Sequence, residues 1–153
     1  MTRLLAAASI VWPLLLAGGW WAGVEGRAPL LTTVVYLSAG RVCHQKPDRS
    51  FTTAGVQWPV CGRCAGLYLG APFGALAALA WWRRSGAPRI GWLVAAALPT
   101  AVTMAVEFGG LAPMSSLARA LAATLLGAAV AFFMVAVTHE KKPGIISGDH
   151  NPK

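Results

Sequence analysis

Charged residues are scarce in this chain, and acidic residues are the scarcest of them. Only 12% of the 153 residues are charged, with five Asp or Glu against thirteen Lys or Arg. This composition lies outside the usual balance of a soluble globular domain. The sequence also lacks a recognisable Ser-His-Asp set, a phosphate-binding Gly-rich loop before a cytosolic helix, and a paired-carboxylate site. These absences leave a hydrolase without support.

Apolar residues are abundant instead, at 56% of the chain, and the mean hydropathy is +0.58. A helix needs about 20 predominantly apolar residues to cross a bilayer. Four runs are long enough, at about residues 4–24, 65–82, 90–108 and 117–138. The sequence therefore predicts an all-α integral membrane protein with four transmembrane helices. We expect a single membrane domain over residues 1–138 and a disordered tail over residues 139–153, where Pro and Gly occur among charges.

The first apolar run could be mistaken for a secretory signal, because Arg3 precedes it. It is too long for one, however, and it contains Pro13 and the bulky Trp20-Trp21 pair. It also lacks a clear small-residue cleavage site. We therefore expect this run to be retained as a helix.

The formal net charge of +8 does not indicate nucleic-acid binding. Outside the cysteine region, the basic residues form short clusters at predicted helix ends, and no basic face with interleaved aromatics is present. The clusters are Arg83-Arg84, Arg89 and Lys141-Lys142. At helix ends they can contact anionic headgroups. We expect membrane lipid as a partner and no nucleic acid, and the sequence names no protein partner.

A shorter apolar segment, residues 29–42, lies between the first and second spans. Its apolar side carries Leu30, Leu31, Val34, Val35, Leu37 and Val42. This pattern predicts a short amphipathic helix that cannot span the bilayer. It would lie in the interface or re-enter the bundle edge and bring Cys43-His44 to the membrane surface, or it would be an ordinary packed connector. Residues 45–59 are rich in Pro, Gly, Ser and Thr, which predicts a loop.

All three cysteines fall in or beside this connecting region, and one histidine accompanies them. Cys43-His44 is followed by the C-x-x-C pair Cys61 and Cys64, which adjoins the second span. Three thiolates, with His44 or water as the fourth ligand, would suit Zn²⁺. Adjacent residues rarely chelate one ion without strain, so His44 could instead orient the site from outside the ligand set.

Two other interpretations of the cysteines stay open. Cys61 and Cys64 could be a redox pair activated by the helix N-terminus and Arg63, with Cys43 as the resolving thiol. A four-helix membrane bundle with cysteines at its rim is also the layout of quinone-linked disulfide oxidases, so quinone enters only with this alternative. The third interpretation is that the cysteines are buried and inert.

Four spans place the cysteine loop, the end of the third span and the start of the fourth on one side of the membrane. Glu107 and Arg119 lie at these two ends. They are either a snorkelling pair at the interface or part of a pocket shared with the cysteine loop. Arg49 and Arg63 would add positive charge there, and an anionic ligand such as a lipid phosphate would suit the pocket.

The basic clusters also bear on orientation. Arg83, Arg84 and Arg89 in a short linker suggest that the linker and both termini are cytoplasmic in a multi-pass protein of the cell membrane. The cysteine loop carries basic residues that favour the opposite orientation, among them Arg27, Arg41 and Lys46.

Several of these residues form a familiar pattern: Cys43-His44-Gln45, then Arg49-Ser50-Phe51, then the run from Pro59 through Cys61-Gly62-Arg63-Cys64 to Gly70. This pattern resembles the core of a family of small prokaryotic membrane proteins, domain of unknown function 2085. The resemblance is closest over residues 42–70. It implies an acidic residue near a glycine at the end of the third span, here Glu107 with Gly109, and an Arg near the start of the fourth, here Arg119. It implies a membrane protein with a Cys/His motif and brings no activity with it.

Overall fold

The computed structural model describes residues 2–81 and 90–140, the last two by their backbone only. It contains five α-helices and one β-hairpin: α1 (Thr2–Glu25), α2 (Pro29–Gly40), β1 (Ser50–Thr53), β2 (Val56–Cys61), α3 (Gly62–Trp81), α4 (Ile90–Phe108) and α5 (Ser116–Glu140). A 3₁₀ turn, Pro47–Arg49, precedes β1. Helices α1, α3, α4 and α5 are long and apolar enough to cross a membrane. The prediction of an all-α protein with four spans and one short helix is confirmed. The predicted basic linker at residues 83–89 lies outside the described residues. So does the predicted tail over residues 139–153, except for its first two residues, which continue α5.

Helices α3 and α5 run parallel in close contact, and glycines make that contact possible. Four glycines of α3, spaced four residues apart, lie against successive turns of α5: Gly62, Gly66, Gly70 and Gly74. A Cβ atom on any of them would meet a backbone carbonyl oxygen of α5. Gly127 of α5 lies in the same way against Leu67 of α3. Small residues at a helix interface allow two backbones to approach each other this closely.

The other two spans flank this pair. Helix α1 packs beside α3, where the rings of Trp12 and Tyr68 meet edge to face at 6.1 Å. At the opposite end of the bundle, Ala6 joins Ala75 and Val135 in a small apolar cluster. Helix α4 lies at the edge and contacts α5, with Thr100 Oγ1 donating to the Ala122 carbonyl at 2.9 Å. None of its residues is fully buried.

Helix α2 folds back along the last turns of α1. Val35 occupies the space that Gly19 leaves open, and Thr32 Oγ1 donates to the Gly19 carbonyl at 3.2 Å. Val35 is thus the one member of the predicted apolar side that packs inward, and the other five are exposed: Leu30, Leu31, Val34, Leu37 and Val42. The space over Gly19, which the Val35 side chain fills, decided which face packs, rather than the number of apolar side chains. That the outward face meets lipid stays a prediction.

The prediction of a loop over residues 45–59 is wrong from Ser50 onward, where the chain forms a hairpin. Strands β1 and β2 pair antiparallel with Thr53 opposite Val56. The two residues between them, Ala54 and Gly55, have φ values of 54° and 75°. Positive φ at both central positions matches the right-handed strand twist and makes a tight hairpin turn. The Pro and Gly residues that predicted a loop thus lie in the two turns and in β2: Pro47 in the 3₁₀ turn, Gly55 in the hairpin turn and Pro59 in the strand.

Candidate metal centre

The first cysteine is delivered by the end of α2. The backbone N–H of Cys43 donates to the Ala39 carbonyl at 2.9 Å. One more hydrogen-bonded turn therefore follows α2 before the chain leaves the helix. Cys43 is buried, in one apolar cluster with Leu16, Val60 and Ala65. The packing of α1, β2 and α3 around it therefore holds this thiol in one position.

Gln45 fastens α2 to the hairpin immediately after Cys43. Its side-chain Nε2 donates to the carbonyls of Tyr36 and Pro59, at 2.8 and 2.7 Å. Gln57 returns a hydrogen bond from its own Nε2 to the Gln45 carbonyl at 2.7 Å. Gln45 has a φ of 48°, an uncommon conformation for a residue with a side chain. These three bonds hold the end of α2 beside β2 and so bring Cys43 toward Cys61.

Cys61 ends β2, and Cys64 lies in the first turn of α3. The sulfur atoms of Cys43, Cys61 and Cys64 all lie within 4.8 Å of one another, and all three cysteines are free. The backbone N–H of Cys61 also donates to the Cys43 sulfur at 3.2 Å. Residues from three segments of the chain therefore converge on one small volume.

The spacing of these sulfurs and the lowered pKa of Cys61 suit a soft metal ion. With Zn–S bonds of about 2.3 Å, tetrahedral geometry puts two sulfurs about 3.8 Å apart, which a small closure of this group would reach. A hydrogen bond from the Cys64 side chain is the main reason that the pKa of Cys61 falls to about 5. A thiolate, rather than a thiol, is the metal ligand. The donor set thus fits Zn²⁺ and other thiophilic ions.

His44 does not join the three sulfurs. Its side chain is exposed, and neither ring nitrogen belongs to the group of mutually close ligand atoms. Among the described residues that group has three members, all cysteines. His44 lines the cavity beside them. Its position therefore suits the interpretation in which it acts from outside the ligand set better than the one in which it is the fourth ligand.

Glu107 of α4 is the common partner of three arginines. Arg119 Nη2 lies 3.2 Å from Oε1, Arg63 Nη2 2.9 Å from Oε2, and Arg49 Nη2 3.3 Å from Oε1. The side chains of Glu107, Arg63 and Arg119 are nearly buried, at 11%, 15% and 7% exposed. The structure thus brings Arg63, Glu107 and Arg119 together on the side of the cysteines, as the number of spans requires.

A cavity of about 300 Å³ connects the two groups. The three cysteines line one part of it, and Arg49, Arg63 and Arg119 line another. Lys46 and His44 also line it, and no Asp or Glu does within residues 2–81 and 90–138. A ligand in this cavity would meet thiol sulfur and guanidinium groups at once.

Sequence patterns indicated no role for Gln45, and for Lys46 and Arg49 they indicated only a contribution to charge. Gln45 follows Cys43-His44 directly in the motif that carries the family resemblance, and this position could have marked it as part of the site. Its three hydrogen bonds depend on backbone carbonyls that only the folded hairpin positions. Periodicity and spacing could not reveal them.

Comparison with known proteins agrees with the membrane architecture. The family described as predicted membrane protein DUF2085 matches residues 43–133, which include the cysteines, Glu107 and Arg119. An uncharacterised protein of Methanocaldococcus jannaschii is 27% identical over 112 residues, 72% of each chain. An uncharacterised protein of Methanothermobacter thermautotrophicus is 57% identical over 30 residues, which are 20% of this chain and 27% of that protein. No solved structure matches. Because the family match covers more than half of the sequence, this chain belongs to the predicted membrane protein family DUF2085.

Proposed function

We propose that this protein is a membrane-embedded zinc-binding protein that holds one ion through Cys43, Cys61 and Cys64. The observation that carries the proposal is the convergence of three free thiols within 4.8 Å. Three protein ligands with a fourth position left for water or substrate are typical of reactive zinc sites, whereas structural sites have four protein ligands. The fourth position would face the neighbouring cavity. Zinc bound there would supply a Lewis acid and acidify a bound water.

The surrounding residues would support the ion in two ways. Gln45 ties α2 to β2 and so keeps Cys43 beside Cys61. His44, on the cavity wall, would hydrogen-bond a water or ligand at the open position. Groups of this kind affect metal affinity through the orientation of the ligands, and their loss typically costs roughly 10- to 100-fold.

The test is elemental analysis of protein purified in detergent without chelator, together with a free-thiol titration of the same sample. We expect about one zinc per chain and three free thiols after the metal is removed. Cys64→Ser should lose the zinc, because two thiolates cannot hold it tightly. His44→Ala removes no thiolate, so it should still hold about one zinc per chain, with an affinity lowered by roughly 10- to 100-fold. Wild-type protein without stoichiometric metal, with Cys61 and Cys64 in a disulfide, would contradict the proposal.

The second candidate is a membrane thiol-disulfide oxidoreductase. It is favoured by the lowered pKa of Cys61 and by the position of Cys64 at the start of a helix. Oxidation of the two thiols to a disulfide would release two electrons and two protons, which a membrane quinone could accept. An apolar cavity of about 150 Å³ lies nearby, lined by Trp20, Trp58 and Tyr68 among others. Small-molecule pockets usually measure about 300 Å³ or more, so this cavity lends the quinone little support.

We further propose that the protein resides in the cell membrane with both termini in the cytoplasm. The support is the basic linker between the second and third spans, since basic residues in short linkers favour the cytoplasmic side. The cysteine site would then face outward. An outward-facing site meets a more oxidising environment, in which a bound metal would protect the thiols from disulfide formation.

A further inference from the structure

The cavity beside the cysteines has a strongly positive lining. Among the described residues that line it, four are cationic, namely Lys46, Arg49, Arg63 and Arg119, and none carries a carboxylate. Glu107 lies behind the arginines and can balance one of them. Exposed Asp48 offers a second carboxylate, 3.5 Å from Arg49 Nε. Even a zinc ion with three thiolates would add only one net negative charge. The cavity therefore keeps a positive surplus.

Part of the hydrogen-bonding capacity of these arginines is unused. The Nε–H groups of Arg49 and Arg63 are buried and have no hydrogen-bond partner among the described residues. The 3.5 Å approach of Asp48 to Arg49 Nε does not make a hydrogen bond. Buried polar groups are rarely left without a partner, because burial removes their hydrogen bonds to water and nothing replaces them. An acceptor with several oxygens would satisfy them.

The helices add to the same field. Arg63 and Cys64 lie in the first turn of α3, and Arg119 lies in the first turn of α5. These two helices run parallel, so both positive dipole ends border the cavity. Free N–H groups at a helix N-terminus also favour anionic oxygens. Here the dipoles reinforce an arginine cluster that already surrounds a cavity.

We propose that this cavity binds a phosphoryl group, either from a lipid headgroup or from free phosphate. A phosphoryl group presents several oxygens that can each accept hydrogen bonds from the planar guanidinium forks. Its charge suits the positive surplus of the lining. The volume of about 300 Å³ leaves room for the group that the phosphate is attached to. The site depends on the arginines and stands apart from the zinc proposal.

The test uses full-length protein in nonionic detergent with two probes. Equilibrium dialysis measures inorganic phosphate, and native mass spectrometry compares phosphatidic acid with diacylglycerol, which lacks the phosphate. We expect saturable binding of one phosphoryl probe per chain. If phosphate displaces phosphatidic acid, both use one site. Binding of the lipid alone identifies a headgroup site, and binding of phosphate alone identifies a soluble anion.

Arg49→Gln removes one cavity cation, and the matched control is Arg27→Gln. Arg27 lies on the same side of the membrane but is highly exposed and pairs with Glu25 away from the cavity. Loss of a charged hydrogen bond should weaken phosphoryl binding about tenfold in Arg49→Gln. Arg27→Gln should stay within about twofold of wild type, since an exposed pair contributes little. If Arg49→Gln does not fold, Lys46→Gln, an exposed position, takes its place.

Absence of saturable binding for both probes would overturn the proposal, and so would equal weakening by both arginine variants. Zinc content is measured on the same samples. Phosphoryl binding in protein without zinc would contradict the zinc proposal alone. Zinc binding without phosphoryl binding would contradict the phosphoryl site alone.

Discussion

At the residue scale, Glu107 holds together the arginine cluster on the cysteine side of the molecule. It comes from α4, and its three arginine partners come from the 3₁₀ turn, from α3 and from α5. A charge at a membrane rim is costly unless it is paired, so one carboxylate here lowers the cost of three guanidinium groups. The carboxylate also connects four segments that are distant in sequence.

Removing Glu107 should therefore destabilise the protein more than removing a similar charge elsewhere. Glu107→Gln leaves buried Arg63 and Arg119 without their carboxylate, and we expect a loss of about 2 kcal/mol or more. Glu25→Gln is the matched control, because its partner Arg27 is exposed; it should change stability by less than about 1 kcal/mol. Thermal unfolding in detergent measures both. Equal melting temperatures for the two variants would contradict the role of Glu107.

The pairing itself can be tested by a double-mutant cycle. Arg119→Gln should also destabilise the protein, because it removes a nearly buried partner of the carboxylate. The double variant should lose less than the sum of the two single losses, since no isolated partner is left behind at that pair. Arg49 and Arg63 still lack their carboxylate, so recovery should be partial. Strictly additive losses would show that the two side chains do not interact.

At the scale of elements, the contact between α3 and α5 positions the site. The glycine series of α3 brings the two backbones close enough that Gly62 lies against Ser116. This contact brings Arg63 and Arg119 together, because Arg63 follows Gly62 by one residue and Arg119 follows Ser116 by three. Lipid chains are as apolar as the helices, so close packing rather than burial from water drives the association.

Gly70→Ala tests this contact. Its new Cβ would meet the Thr124 carbonyl oxygen, which is backbone and cannot rotate away, so the helices must separate. We expect a loss of roughly 2 kcal/mol, within the usual cost of overpacking. Gly18→Ala is the matched control, because nothing lies within 4 Å of a Cβ at that helical position. It should be neutral or slightly stabilising. A Gly70→Ala protein that unfolds like Gly18→Ala would contradict the close contact.

At the scale of the whole molecule, the four spans place the three cysteines and the arginine cluster at one end. The hairpin meets the start of α5 where Ser116 Oγ donates to the Ser50 carbonyl at 3.4 Å, and Arg119 Nη1 donates to the Asp48 carbonyl at 3.4 Å. The cysteines, the arginine cluster and the hairpin therefore share one side of the membrane. Which compartment that side faces decides whether the thiols meet oxidising or reducing conditions.

Orientation is predicted from the basic linker and can be measured by accessibility. A cysteine reporter at exposed Thr52, in the hairpin, should react with an impermeant thiol reagent in intact cells. A reporter at Ser85, in the basic linker, should react only after the cells are opened. The wild-type chain, with its three native cysteines, sets the background. The reverse pattern would place the cysteine site in the cytoplasm and so strengthen the zinc proposal over the disulfide alternative.

Hydropathy and spacing predicted much of this architecture. The four apolar runs became four long helices because composition over about 20 residues suffices to identify a span. The C-x-x-C pair marked the cysteine region because its two thiols are close in sequence. The hairpin was missed because its turn depends on positive φ at Ala54 and Gly55. Periodicity did not determine which side of α2 packs, because Gly19, on another helix, provides the space that Val35 fills.

By itself, the sequence determined that this is a four-span membrane protein with a cysteine motif beside the second span. Apolar length and local motifs are properties of short segments, so they can be read directly from the sequence. Tertiary structure alone decided which residues meet. Cys43 reaches Cys61 through the hydrogen bonds of Gln45, and Arg49 and Arg63 join Arg119 on Glu107. Such contacts join segments far apart in the chain. They arise from helix packing and hairpin geometry, which no local pattern contains.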